Sequence, residues 1–483
     1  MEQGDKKTRR NNSLESGDQA TESPEPVARG EEIVGPLVSL AWGRRDAIFL
    51  LLILLVAALL RLLNLDYMEF KRDEADNLFL AADLVSGKTF PLVGIPSSIG
   101  TYNPPLFTYL MGIPLFFSRN PVIAAGFVAL LNCAAVGLSH VFCRRYFGRI
   151  VALIAAVFFA VNPWAVFYSR KIWQQDLLPL FVIGFFYGLF AVVCEGRKKH
   201  LLTCFACLAA TTQLHFSSIY FLVVLVLVLA WFRPKIGWGC YLGGIVIALL
   251  IYSPYLVFDL LNRGYNVKIY LRALSLPSRF RPEALTTPFV LGSTRGFMHF
   301  VDWPSLDVLQ GLLLAIGLVY LFFRWSDSRH AILILWLCIP SIFLLVSKLD
   351  LYRHYFIFFY PIQFVVVGIV AGALMQDLQP RNKVLSNVTL AVVVVLAAYQ
   401  LQSSVKFVTS ITEREQLAWA EYGPEYGPPF RFRVKEVREL AQKGIVEPET
   451  VQKKLLEGKQ PSAIFKYDFP ATKYIIENLK ALP

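Results

Sequence analysis

The sequence predicts an all-α polytopic membrane protein, and three observations carry that prediction. First, 55% of its 483 residues are hydrophobic and only 17% are charged. A soluble chain of this length cannot bury that much apolar surface, so most of it must face lipid or other spanning helices. Second, apolar runs of spanning length recur along the chain; a hydrocarbon core about 30 Å thick needs roughly 20 such residues per helix. Third, the links between the runs alternate in charge, one set being rich in Lys and Arg. The net charge of +12 therefore reads as a marker of cytoplasmic loops rather than of nucleic-acid binding.

Residues 1–46 are polar, poor in aromatics and expected to be a disordered cytoplasmic tail, too long and too polar to open a cleaved signal peptide. The first apolar run is thus expected to stay as an anchor. Spans are expected near 47–64, 121–142, 150–168, 177–195, 201–214, 216–232, 236–256, 306–323, 331–347, 355–376 and 384–401, about eleven in all. Arg61 lies near the outer end of the first span and is expected to snorkel outward.

The links "CRRYFGR", "GRKKH", "RPK", "RWSDSRH" and "DLQPRNK" each hold at least two cations. Strict alternation puts all of them on the side of the N-terminus, which the positive-inside rule assigns to the cytoplasm. The segment "PPLFTYLMGIPLFF" (104–117) is excluded as a span, because counting it would move every later cation-rich link outside. It is expected to lie at the outer interface, opened by a proline pair. Three outer segments result: 66–120, 257–305 and a small C-terminal tail, 402–483, in which "YGPEYGPPFRFRVKEVRELAQKG" reads as a loop followed by an amphipathic helix. The spanning domain is 47–401.

The seven cysteines fall almost entirely in or beside apolar runs. The pair Cys204 and Cys207 has no second pair to make a metal or redox site.

The residues able to do chemistry gather in the outer links. "FKRDEADNLF" (70–79) places three carboxylates and three cation-or-amide partners just after the first span. A helix starting near Asp73 puts Asp73 and Asn77 on one face, with Asp76 close by and the acids in the first turn, where the helix dipole favours them. The bland alternative is a well-capped helix with solvated acids. "FYSRKIWQQDLLP" (167–179) brings Arg170, Lys171 and Asp176 to an outer boundary, where cations run against the positive-inside trend and fit an anion held at the membrane surface. Snorkelling to lipid headgroups is the alternative. "QLHFSS" (213–218) supplies His215 in a tight turn, and "KLDLYRHYF" (348–356) supplies Arg353 and His354. Acids in one outer segment and cations in several others suit a reaction in which a carboxylate takes a proton from an attacking hydroxyl and cations steady a departing phosphate. A prenyl phosphate leaving group has a second pKa of about 6, so no general acid is obligatory.

These motifs, in this order, resemble the GT-C superfamily of lipid-phosphate-sugar glycosyltransferases: an Asp-Glu pair soon after the first span, a "PPL" interfacial helix, a basic "FGR" turn and "NPWAVFYSRKIWQQD". The nearest branch is that of protein O-mannosyltransferases and lipid A aminoarabinose transferases. The resemblance implies a GT-C-like bundle and inverting transfer of a hexosyl or pentosyl unit from a polyprenyl-phosphate donor to a glycolipid, glycan or protein acceptor of the cell envelope. It implies Asp73 as catalytic base with Glu74 beside it, Asp176 shaping the acceptor side, and His215, Arg353, His354, Arg170 and Lys171 toward the lipid phosphate. Tyr102 and Asn103, just before the proline pair, are further candidates for the donor phosphate or substrate; many relatives carry Lys or His immediately ahead of that pair, and Asn103 weakens metal binding or phosphate contact there. No cofactor is assigned, a divalent metal stays open, and the metal ligands are unknown. The expected location is the plasma (inner) membrane, with the N-terminus cytoplasmic and the site and C-terminus outside. Two rival classes are a transporter or lipid flippase and a lipid-linked glycan polymerase or ligase. The first is disfavoured because the spans are nearly free of acids and the charges collect at one face.

Overall fold

The computed structural model describes residues 43–348, 350–378, 382–413, 427, 429–456 and 469–482. Among these the chain is helical throughout, with two isolated β-bridges and no strand. Helices overlie every expected span: Arg44–Leu62, Pro121–Phe147, Arg149–Val161, Leu178–Glu195, His200–Leu214, Tyr220–Phe232, Trp238–Leu261, Pro304–Phe323, Ser328–Leu345, Tyr360–Leu378 and Lys383–Ser410. Of the described helices, 7 are long and apolar enough to cross a membrane. The other expected spans coincide with the shorter helices Arg149–Val161, His200–Leu214 and Phe216–Phe232, and with the first helix, which carries Arg44, Arg45, Asp46 and Arg61.

Boundaries shift where capping chemistry intervenes. The expected span 150–168 is two helices, because Asn162 takes an extended backbone and its side chain accepts from Ala165 N (2.9 Å), starting a new helix at Pro163. The last apolar helix runs on past Leu401 to Ser410. The first begins at Arg44, where Gly43 N donates to Asp46 (3.4 Å).

The bundle has a buried centre and a lipid-facing rim. In the segment Arg353–Gln376 89% of the apolar window is buried, and in Gln174–Glu195 72%, whereas Trp238–Leu261 buries only 17%. The central Tyr360–Leu378 helix meets Arg149–Val161 through Gly368 and Gly372, a small-xxx-small stripe. A Cβ on Gly368 would come 2.8 Å from the Val151 carbonyl, so only glycine allows this approach.

Two buried arginines tie helix ends together. Arg61 does not snorkel: it is fully buried, donating to the carbonyls of Ala160 (2.9 Å) and Phe159 (3.1 Å) at the end of the neighbouring helix. Inward capping gives both terminal nitrogens of the guanidinium carbonyl partners, Ala57 (3.2 Å) included, at a helix end whose carbonyls need donors.

At one end of the bundle the cation-rich links meet one another. Asp46 pairs with Arg144 (2.8 Å) and Arg149 (2.5 Å) of "CRRYFGR". Glu195 binds Arg145 and Arg197 (2.8 Å), and Arg329 donates to the Tyr146 carbonyl (3.1 Å). The start of the first helix and three of the basic links therefore share one side, as alternation requires.

At the opposite end lie the acidic helix Arg72–Val85, the apolar helix Leu106–Phe117 packed beside it, and the C-terminal helices Phe430–Gln442, Pro448–Leu456 and Phe469–Asn478. Phe430–Gln442 is the expected amphipathic helix, burying Phe430, Arg433, Val434 and Val437; most of the loop expected before it lies outside the described residues. Tyr474 packs edge-on against Phe70 (5.7 Å) and Phe79 (5.0 Å), seating the tail on the acidic helix.

Candidate active site

The acidic helix is N-capped by Lys71, whose backbone N–H donates to Glu74 Oε2 (3.0 Å) as in a capping box. This fixes the rotation of the first turn. Glu74 points inward and is fully buried, Arg72 and Asp76 pair with each other (3.3 Å), and Asp73 opens on a cleft. Asn77, one turn on, donates to the Asp73 carbonyl (2.8 Å) and lines the same cleft.

The cleft has a volume of about 290 Å³. One wall is the turn 94–103, held by Gly94 N to Asn103 O (2.7 Å), Asn103 N to Ile95 O (3.0 Å) and Ser97 N to Thr101 O (2.7 Å). It offers Ser97, Ser98 and Asn103. A second wall is Trp173, Gln174 and Gln175; a third is His215; a fourth is Tyr352, His354 and Tyr355. Four links far apart in sequence thus converge, all from the set that alternation places opposite the basic links.

The aromatic rings order the imidazoles. His354 stacks on Tyr352 (5.7 Å, 11° between planes) and meets Trp173 edge-on (5.2 Å). His215 lies 4.7 Å from Tyr355 and 6.4 Å from His354, with its Nδ1 2.5 Å from Ser217 Oγ.

Electrostatics divide the acids. Asp73 is reachable from solvent, yet the crowded cleft wall raises its carboxyl above the ordinary range, opposed by Lys71 and Arg72. Burial, with the nearby Glu69 charge, pushes Glu74 up to about 8, so it is mainly protonated at neutral pH. Burial, with the His354 ring nearby, drives His215 down to about 3. His215 is therefore a neutral hydrogen-bonding group and not a counter-ion for phosphate.

Of the ten residues singled out in the sequence, the cleft gathers Asp73, Asn103, His215 and His354. The others are placed elsewhere. Arg170 is fully buried and spends its guanidinium on the carbonyls of Leu60 (3.1 Å), Arg61 (3.0 Å), Leu63 (2.7 Å) and Asn64 (2.8 Å). Lys171 is fully buried against Glu69 (2.8 Å) and over the Trp173 ring (3.5 Å). Asp176 is buried beneath the cleft, its backbone carbonyl accepting from Asn132 (2.9 Å). Arg353 sits over the Trp164 ring (4.9 Å), one residue from His354. Tyr102 bonds through its backbone to Asn266 (2.8 Å) and Tyr255 (3.0 Å), fastening the 94–103 turn to the long outer segment.

Sequence reasoning passed over Trp173, Tyr352 and Tyr355, although each lies inside a quoted motif; aromatics beside spans are common enough to carry no local signal. Cys204 and Cys207 are free thiols that pack against Gly188 and Gly184. Among the described residues no group of three His, Cys, Asp or Glu is placed to hold a metal ion.

No protein-family model and no curated protein sequence matches the chain. Solved structures do. ArnT from Cupriavidus metallidurans in the apo state superposes with a TM-score of 0.57 at 13% identity, covering 91% of this chain and 89% of that one. The same protein bound to undecaprenyl phosphate gives 0.54 at 12%, covering 90% and 88%. The chain has the GT-C fold. The oligosaccharyltransferase AglB from Archaeoglobus fulgidus, in complex with an inhibitory peptide and a dolichol-phosphate, gives 0.50 at 11%, covering 86% of this chain and 60% of that chain. The GT-C resemblance read from the motifs therefore holds for the architecture, over nearly the whole length of ArnT. At these identities the shared property is the fold, and chemistry must be argued from the residues.

Proposed function

We propose that this protein is an integral-membrane glycosyltransferase that moves a sugar from a polyprenyl-phosphate donor to a hydroxyl-bearing acceptor, with inversion, using Asp73 as general base. The observation that carries the reading is the cleft itself: a carboxylate raised above its usual range faces amides, hydroxyls and two imidazoles, at the end of the bundle opposite the cation-rich links. By the positive-inside rule that end is extracytoplasmic, in a plasma membrane with the N-terminus in the cytoplasm.

In the reaction Asp73 accepts the proton of the acceptor hydroxyl as its oxygen bonds to the anomeric carbon. The bond from that carbon to the phosphate oxygen breaks, and the lipid phosphate departs with the electron pair. Raising the carboxyl makes Asp73 a stronger base than a solvated aspartate. Asn77, Asn103 and the serines at 97 and 98 supply neutral hydrogen bonds to sugar hydroxyls, and Trp173 and Tyr355 supply apolar ring faces for the pyranose or furanose. His354 and the adjacent Arg353 are the groups we assign to the phosphate, and His215 donates as a neutral ring. Undecaprenyl phosphate in the ArnT structure and dolichol-phosphate in the AglB structure support a prenyl-phosphate carrier for a protein of this fold.

The test is sugar transfer in proteoliposomes of the whole protein, with radiolabelled polyprenyl-phosphate sugars and a cell-envelope extract as acceptor. Wild type should transfer one donor, and Asp73→Asn should lose transfer by about 10²- to 10⁴-fold while still binding it. Undiminished transfer by Asp73→Asn removes the base assignment. No transfer by wild type, with solute or lipid crossing the vesicle instead, replaces the enzyme reading with a transporter.

A further inference from the structure

Glu69 lies three residues before the acidic helix and its side chain is fully buried, a costly place for a carboxylate unless it is paired. Here each oxygen faces an ammonium group. Lys171 Nζ, from the second outer link, lies 2.8 Å from Oε1, and Lys71 Nζ, from the first, lies 3.1 Å from Oε2. The backbone N–H of Gly427, from the C-terminal chain, also donates to Oε2. Beside it Glu69 forms a bridge with Pro429, and Phe430 N donates to the Met68 carbonyl (2.8 Å). A Cβ on Gly427 would come 2.7 Å from Lys71 Cδ and 3.0 Å from Glu69 Oε2, so a side chain here would have to displace the Lys71–Glu69 pair.

Both lysines then lead to the cleft. Lys171 Nζ sits 3.5 Å from the centroid of the Trp173 ring and Lys71 Nζ 5.5 Å from it, so the ring that forms one wall is held by the cations Glu69 holds. Lys71 is also the N-cap of the helix that carries Asp73. We propose that Glu69 is a positioning residue, a single buried carboxylate that locks the first outer segment, the second outer link and the C-terminal strap together and so fixes Asp73 and Trp173 relative to each other. The tail, to which the sequence assigned no role, is the third member of this lock. The positioning half of the inference rests on the transferase reading; the lock itself does not.

The lock also sets charge. Its carboxylate and both ammonium groups act on the Asp73 carboxyl. The groups around Asp73 are Glu69, Lys71, Arg72, Glu74 and Asp76 on its own segment, Lys171 from the second link, and His215 and His354 across the cleft. Glu69 raises the Asp73 carboxyl and Lys171 lowers it, so removing either should displace the acid limb of the rate in opposite directions.

The experiment compares wild type, Glu69→Gln and Lys171→Met as whole proteins in detergent and in proteoliposomes. Peptide-level hydrogen exchange should show residues 72–80 and 430–437 losing protection together in Glu69→Gln. kcat should fall by about 10- to 100-fold with donor KM changed less than about threefold. The acid limb of kcat should move to lower pH in Glu69→Gln and to higher pH in Lys171→Met. A lock that is only scaffolding would lower the amount of folded protein and leave both limbs where they are. Unchanged exchange in Glu69→Gln overturns the lock, and loosened exchange with wild-type kcat and pH profile overturns its positioning role. If wild type transfers no sugar at all, the transferase reading and the positioning role that rests on it both fall, and the exchange comparison alone decides the lock.

Discussion

Arg170 offers the sharpest separation of two roles. As a phosphate ligand its loss would weaken donor binding and leave the fold intact; as the cap of the first helix its loss would do the reverse. The guanidinium donates to four carbonyls, those of Leu60, Arg61, Leu63 and Asn64. Two of these belong to the last turn of Arg44–Leu62, where carbonyls have no partner within the helix. Hydrogen bonds from a charged donor contribute about 1.5–3 kcal/mol each, or roughly 6–12 kcal/mol gross for the set. They share one buried cation whose desolvation costs several kcal/mol, so the net loss in Arg170→Met should be about 3–5 kcal/mol, the range for breaking a buried charged pair. A chain of this size should then melt about 3–5 °C lower. Arg170→Lys should fall between, because an ammonium keeps the charge without the planar fork. The assay is thermal unfolding of the purified protein in detergent beside equilibrium binding of the prenyl-phosphate donor. Wild-type melting with donor affinity reduced tenfold or more would refute the capping account and return Arg170 to the phosphate.

Glu74→Gln should be tolerated at pH 7, because the native carboxyl is already protonated there. Its folded value is raised from an unfolded value of about 4.3 to about 8, so it favours the fold below the unfolded value and loses that contribution as pH rises through the folded one. Wild type should therefore lose stability relative to Glu74→Gln between about pH 4.5 and 8, and parallel melting curves across that range would count against it. Gly427→Ala should loosen the tail from Glu69 and destabilise by about 1–3 kcal/mol, read as lost hydrogen-exchange protection over residues 430–437. Gly368→Ala should cost a similar ~1–3 kcal/mol by pushing the central helix off Val151, and an unchanged melting temperature would show that the helices separate freely.

Legibility in the sequence followed the range of the interaction that decides each feature. The spans were readable because lipid acts on every residue of a run, and the basic links because alternation is a property of consecutive segments. Asp73 and Asn77 could be put on one face because the helical period is local. The break at Asn162 was also local, an Asn-Pro pair inside an apolar run, and averaging over the run hid it.

The charged residues near the outer ends were harder, since a cation beside a span looks the same whether it faces an anion, a headgroup or a carbonyl. Arg61 and Arg170 turned inward to helix ends, and their partners lie 99 and 106 residues away in the chain. Lys171 found Glu69 across a similar distance, and that pairing removed it from the cleft it borders.

The sequence by itself determined the membrane class, the alternation that gathers the basic links on one side, and the acidic helix with Asp73 in its first turn. Each depends on composition or on neighbours within a few residues. Only the tertiary structure decided which charges reach the cleft and which are consumed in holding it. A buried charge must be paired wherever the fold brings a partner, and Glu69 meets Lys171 and Gly427 only after the bundle and the tail have closed around it.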